Sequence, residues 1–177
     1  MKTVTRKIRF HQRLGAFGVT AALGLGGGGA LLRSCGSAAP APAPSISAPL
    51  PITAELITLA NQQRRAAGLP GLSEHPSLAT AAQGQSMDQA RRALMTHAGS
   101  NGSNAGARIA FMGYRWSAWG ENVAAGQTTP RDVMNAWMNS PGHRANILSS
   151  TFTDIGVAAV AGADGTIYWT MDLASGG

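Results

Sequence analysis

Cys35 is the one cysteine in 177 residues, so no internal disulfide can staple a small scaffold. Lysine is almost as scarce. Lys2 and Lys7 are the only two, and a Ser-Lys dyad is therefore excluded from everything beyond the N-terminus. There is no G-x-S-x-G, which removes the nucleophile elbow, and no H-E-x-x-H, which removes the helical zinc-protease pattern. Charged residues are sparse at 12%, against 44% apolar, so the chain can bury a core and is not a charged disordered polymer. No internal repeat is present. A chain of this length holds one ordinary domain and an attachment segment, and is too short for two sizeable domains.

The net charge of +6 points to nucleic acid until the charges are located. Lys2, Arg6, Lys7, Arg9, Arg13 and Arg33 carry the whole excess. Beyond them eight arginines face eight acids, a formal charge of zero. A neutral domain lacks the basic footprint that phosphate binding needs, and no nucleic-acid partner is expected.

Five of the basic residues fall within residues 1 to 13, and the 19 residues from Leu14 to Leu32 carry no charge. A basic stretch followed by an apolar one marks residues 1–34 as a secretory signal. The run is long enough to be weighed as a retained membrane anchor. Its Gly26 to Gly29 run makes a poor helix, at roughly 1 kcal/mol lost per glycine relative to alanine. Cys35 follows at once in Leu32-Arg33-Ser34-Cys35-Gly36, which resembles a bacterial lipoprotein processing site. Lipidation of Cys35 and attachment to the membrane are the expectation, with secretion as the alternative. Residues 35–51, with Pro40-Ala41-Pro42-Ala43-Pro44, read as an extended semi-rigid linker. The folded unit is then 52–177, one domain, expected to be monomeric.

Within it, Leu56, Ile57, Leu59 and Ala60 share a helical face over 53–67, ended by Gly68 and Pro70. A second, alanine-rich helix starts at Pro76 and runs to about Met95, and a shorter one covers 105–112. Thr129-Pro130-Arg131-Asp132 forms a capping box for a helix ending near Asn139, where Ser140-Pro141-Gly142 breaks it. Runs at 154–161 and 166–173 flank Gly162-Ala163-Asp164-Gly165 as an antiparallel hairpin. Helices first and strands last predict an α+β fold, with helices covering a small antiparallel sheet. Trp116, Trp119, Trp137 and Trp169 either line a groove for a sugar or lipid or belong to the core, and the core is the reading favoured for Trp137 and Trp169. His75 is expected on the solvated surface, Asn122 on local backbone, and Arg144 in a pair with an acid.

Three segments stand in order: Thr96-His97-Ala98-Gly99-Ser100, Trp119-Gly120-Glu121-Asn122-Val123-Ala124-Ala125-Gly126, and Trp137 to Leu148, WMNSPGHRANIL. Phe152-Thr153-Asp154-Ile155-Gly156-Val157 follows them. Together they resemble the bacterial branch of the CAP superfamily, the cysteine-rich secretory, antigen 5 and pathogenesis-related proteins, also called SCP-like extracellular proteins. The resemblance covers essentially the whole domain and implies a three-layer α–β–α sandwich with a short antiparallel sheet. It also implies a cleft holding His97, Glu121 and His143, able in some members to bind Zn²⁺ or another divalent cation. The family's second acid has no counterpart at Met138, Asn139 or Ser140. By themselves the three residues, 24 and 22 positions apart, carry no metal-ligand spacing, and a hydrogen-bonded scaffold is the plainer reading. Two functions follow. One is an envelope-associated module that binds a lipid, peptide or glycan in the cleft; the other is a metal-dependent or His/Glu-assisted hydrolase of protease type. No catalytic residue is assigned, and the lack of a nucleophile motif favours binding.

The attachment reading has a direct test. Cys35→Ser should release the protein from the membrane or leave it unprocessed, as followed by membrane fractionation and intact mass. A mature N-terminus beyond residue 36 without a lipid adduct would refute it.

Overall fold

Four of the five helices found among the described residues begin at a proline, whose missing N–H is an orphan at a helix start in any case. The computed structural model describes residues 51–177. Cys35, the export signal and the linker to residue 50 lie outside the described residues. The helices are α1 (Pro51–Ala66), α2 (Pro76–Arg92), α3 (Ala105–Phe111), α4 (Pro130–Met138) and α5 (Pro141–Ile147). The strands β1 (Ser73–Glu74), β2 (Trp116–Ala125), β3 (Asp154–Ala161) and β4 (Ile167–Gly176) form one sheet in the order β1-β3-β4-β2.

The hairpin of β3 and β4 is antiparallel as expected, and β2 adds antiparallel to the other side of β4. The sheet is mixed rather than purely antiparallel, because β1 pairs parallel to β3 through Ser73 and Glu74. So short a strand has no side-chain period to read. Side chains alternate across the sheet. Leu173, Met171 and Trp169 of β4 join Leu56, Val133, Met134, Trp137 and Ile147 in the larger core, on the α1, α4 and α5 side. Ala174 of β4 packs with Leu78, Ala81 and Ile109 on the α2 and α3 side. The result is the expected α–β–α arrangement.

Each helical layer is held in a different way. Small residues let α2 lie directly on the sheet: a Cβ on Gly156 would fall 2.1 Å from the backbone of Leu78 and Ala79. Any side chain there would force the layers apart. On the other face Arg64 is fully buried. Its guanidinium donates to the carbonyls of Pro70, Ile147, Ser149 and Phe152 at 2.8, 2.9, 2.7 and 3.2 Å. Desolvation lowers its pKa. One side chain thus ties the end of α1 to the turn after α5 and to the approach to β3.

Several local expectations are corrected. The break at Ser140-Pro141-Gly142 is real, but it is also a start: Ser140 is the N-cap of α5 and Pro141 its first residue. α2 stops at Arg92, because Ala93 takes a left-handed conformation with φ 46°. His75 is not merely solvated. Its ring accepts from Ser77 N at 3.2 Å to cap α2, and packs edge-on against Tyr114.

Trp137 is 1% exposed, and its indole donates to Val123 O at 3.3 Å. Trp137→Ala should therefore cost about 3–5 kcal/mol. Urea unfolding measures this, and a loss below about 1 kcal/mol would be incompatible with an indole that carries core packing.

Candidate functional site

Glu121 sits on β2, one of the sheet's two edge strands, and points into the α2–α3 layer with its side chain 2% exposed. A carboxylate there needs partners. The loop after α2 supplies His97, whose Nδ1 lies 2.8 Å from Glu121 Oε1. A carboxylate can only accept, so Nδ1 carries the proton and Nε2 is the nitrogen left for a ligand. Helix α3 supplies Arg108, whose Nη2 donates to Glu121 Oε2 at 2.5 Å. Asn104 caps α3 through Ala107 N at 2.8 Å, which fixes the helix that carries the arginine. Arg108 Nη1 also donates to the carbonyls of His97 and Ser103, at 3.2 and 3.0 Å. The arginine therefore binds both the acid and the loop that presents the histidine.

A second acid is present after all, at a position the motifs did not indicate. Asp172 of β4 stands opposite Glu121 in the ladder and is fully buried. Among the described residues, neither of its carboxylate oxygens meets a hydrogen-bond donor of fixed position. Burial, and then the charge of Glu121, push its pKa well above the ordinary value, against the opposing pull of Arg108. Its burial and its neighbour both favour the protonated form of Asp172.

His143 approaches from the other side of the edge strand. α5 lies along β2, where Asn146 Nδ2 donates to Glu121 O at 3.2 Å and to Asn122 Oδ1 at 2.9 Å. Asn122 Nδ2 donates to His143 O at 3.1 Å. Asn122 thus fastens a helix 21 residues away and does not serve local backbone. The His143 ring lies 6.5 Å from that of Trp137. Its pKa is lowered by burial and then by the charge of His97, so its charged form is disfavoured. His97 and Glu121 are joined directly, and His143 is coupled to them through charge and through its backbone. His97 and Glu121 stand on the α2–α3 side of β2, and His143 belongs to α5 on the opposite side.

Metal fits this arrangement only in part. Both oxygens of Glu121 are taken by His97 and Arg108, and among the described residues no three His, Cys, Asp or Glu side chains are set to enclose an ion. Arg144 is exposed and, among the described residues, pairs with no acid. It lines a shallow depression of about 390 Å³ between α4 and α5 with Met138, Asn139, Pro141, Ala145 and Leu148.

The family model described as "CAP: Cysteine-rich secretory protein family" matches residues 57–173. The chain belongs to the CAP family. The uncharacterized protein YkwD of Bacillus subtilis (strain 168) is 35% identical over 130 residues, 72% of this chain and 49% of YkwD. The chain thus spans about half the length of that relative. An extracellular SCP-domain protein of Bacillus anthracis is 27% identical with a TM-score of 0.63, over 69% of this chain and 39% of that one. An outer surface protein of Borrelia burgdorferi, at 20% identity, shares the fold with a TM-score of 0.66, over 70% of this chain and 92% of its own. The family and its extracellular members put this CAP domain outside the cytoplasm.

Arg108 and Asp172 were not singled out from the sequence of this CAP domain. An acid inside the apolar run of β4 was the available signal, since a buried carboxyl demands compensation. Asp172→Asn tests its state. A pKa raised on folding contributes stability that is complete below the ordinary Asp value and is lost as pH rises through the folded value. Wild type should therefore lose stability relative to Asp172→Asn between about pH 4 and about pH 8. Urea midpoints at the two pH values check this; a difference that does not change with pH refutes it.

Proposed function

We propose that this CAP protein is a binding module of the cell envelope, tethered through Cys35, whose cleft at the β2 edge captures a ligand between His97 and His143. The observation that carries this reading is the engagement of Glu121: both oxygens are held, by Arg108 and by His97. A carboxylate so committed is a poor general base and a poor nucleophile, and a good orienting group for a histidine. It turns the His97 ring so that Nε2 is the atom offered to a ligand. Burial disfavours the charged form of the His143 ring, and the neutral form is the one able to accept a hydrogen bond or ligate.

A divalent ion, where one is bound, would be held by these two imidazoles, with Glu121 behind His97 as its orienting partner, and would act as a Lewis acid. Two neutral ligands make a weak site. The second reading, a His/Glu-assisted hydrolase, draws on the neutral ring of His143 as a base. Loss of turnover in the histidine variants, and not only of affinity, would mark it.

Zn²⁺ is the probe that tests whether the two histidines serve one site. Wild type should bind it weakly, and His97→Ala and His143→Ala should each nearly abolish binding. The double variant should add little, since residues serving one site are not additive. Glu121→Gln should weaken binding in a folded protein. Affinity should fall as pH drops through about 6.5, where free histidine protonates. Calorimetry on the five proteins at two pH values gives the answer. No heat at millimolar metal, or independent effects of the two histidines, would return the cluster to a hydrogen-bonded scaffold.

A further inference from the structure

Two of the four tryptophans, Trp137 and Trp169, are consumed by the core. The other two are not. Trp116 is 39% exposed and Trp119 37%, although tryptophan is among the most buried residues on average. Their ring centroids are 6.3 Å apart with the planes at 74°, so the pair makes an open corner with one indole face and one indole edge.

This corner is rigid, and a single residue makes it so. Trp116 Nε1 donates to Gly106 O at 2.9 Å. Trp119 lies over the same glycine so closely that a Cβ there would fall 2.4 Å from its Nε1. Both rings are thus ordered before any ligand arrives, and the entropy of fixing them is not charged to binding. Trp119 also precedes Glu121 by two positions on the same face of β2, so the corner shares that face with the His97–Glu121 pair, whose histidine side chain is 61% exposed.

From this juxtaposition we propose that Trp116 and Trp119 form a stacking platform for an uncharged saccharide at the mouth of the His97 cleft. The proposal rests on the binding reading above and names the class of ligand. A pyranose ring presents a face of C–H groups that packs on an indole and a rim of hydroxyls that needs polar partners. The platform supplies the first and His97 Nε2 the second, the mixture of apolar wall and few placed polar groups that small-ligand sites use. Charge argues the same way. The chain beyond Arg33 has no lysine and a formal charge of zero, and the Glu121 charge is already met by Arg108. Arg115 beside Trp116 is exposed, but a single arginine falls short of the cluster of cations that a polyphosphate or an anionic lipid surface needs.

The test is calorimetry of the full chain with chitohexaose, cellohexaose and, separately, phosphatidylglycerol vesicles. Wild type should bind a hexasaccharide with Kd near ~1 mM or below. Trp116→Ala and Trp119→Ala should each weaken this at least about tenfold, as expected for truncated tryptophan anchors. Gly106→Ala, which displaces the Trp119 ring, should weaken it too, and Phe111→Ala, on an exposed side chain at the far end of α3, should not. Trp119→Phe, which keeps a ring, should fall between. Thermal unfolding shows whether each variant is folded. Shifts of the Trp116 and Trp119 indole N–H resonances in wild type give a readout that needs no variant. No shift and no heat at about 5 mM saccharide, or binding to vesicles alone, overturns the platform. Zn²⁺ binding at the histidines without saccharide binding overturns it and leaves the cleft reading standing. Saccharide binding lost in the tryptophan variants and unchanged in His97→Ala supports the platform and overturns the cleft as its partner.

Discussion

Two carboxyl groups face each other across adjacent strands with one fixed cation between them and the helical layer, and much of the molecule is arranged around that fact. Glu121 and Asp172 are neighbours in the ladder, and both are buried. Like charges so close cannot both be ionised cheaply, so one keeps its proton and the other needs a counter-charge. Arg108 supplies it. Because Arg108 also holds the carbonyls of His97 and Ser103, the same guanidinium that neutralises the acid sets the path of the loop between α2 and α3. The histidine presented to solvent is therefore positioned from inside the protein. Removing the arginine would leave a buried, uncompensated charge, the most destabilising way to break such a pair.

The opposite layer meets the same strand through amides. β2 is an edge, and edges expose unpaired backbone groups that invite other chains. Asn146 covers the carbonyl of Glu121, and Asn122 reaches back to the carbonyl of His143. The edge is blunted by the helix that carries the second histidine. Edge protection and the anchoring of α5 are one construction, and both use the amides of Asn122 and Asn146.

How much of this was legible depends on what each segment had to signal. α1 declared itself through apolar spacing, α2 through Pro76 and its alanines, and α4 through Pro130 and the Thr129 cap. The β3–β4 hairpin was marked by its Gly/Asp turn. β2 was not marked. Glu121 and Asn122 are consecutive, point to opposite faces and are both buried, so the segment shows no alternation of polarity. α5 was hidden because Pro141 is at once a breaker of the preceding helix and a first residue of the next. His97, Glu121 and His143 were reachable through resemblance and not through spacing, since they stand on a loop, a strand and a helix, and only the first two touch. Asp172 left a trace that was passed over, a lone acid among apolar neighbours in the last strand.

Arg64 joins three chain segments through four carbonyls, which is work that a cross-link would otherwise do. Its bonds form from groups that every backbone carries and need no oxidant. No cysteine follows Cys35, so the described domain has no redox state to acquire. It can reach the same structure in a reducing compartment as in an oxidising one, and a change of thiol potential around it leaves its fold untouched. For a protein that works outside the cytoplasm, maturation of the folded part is thereby separated from the machinery that oxidises thiols.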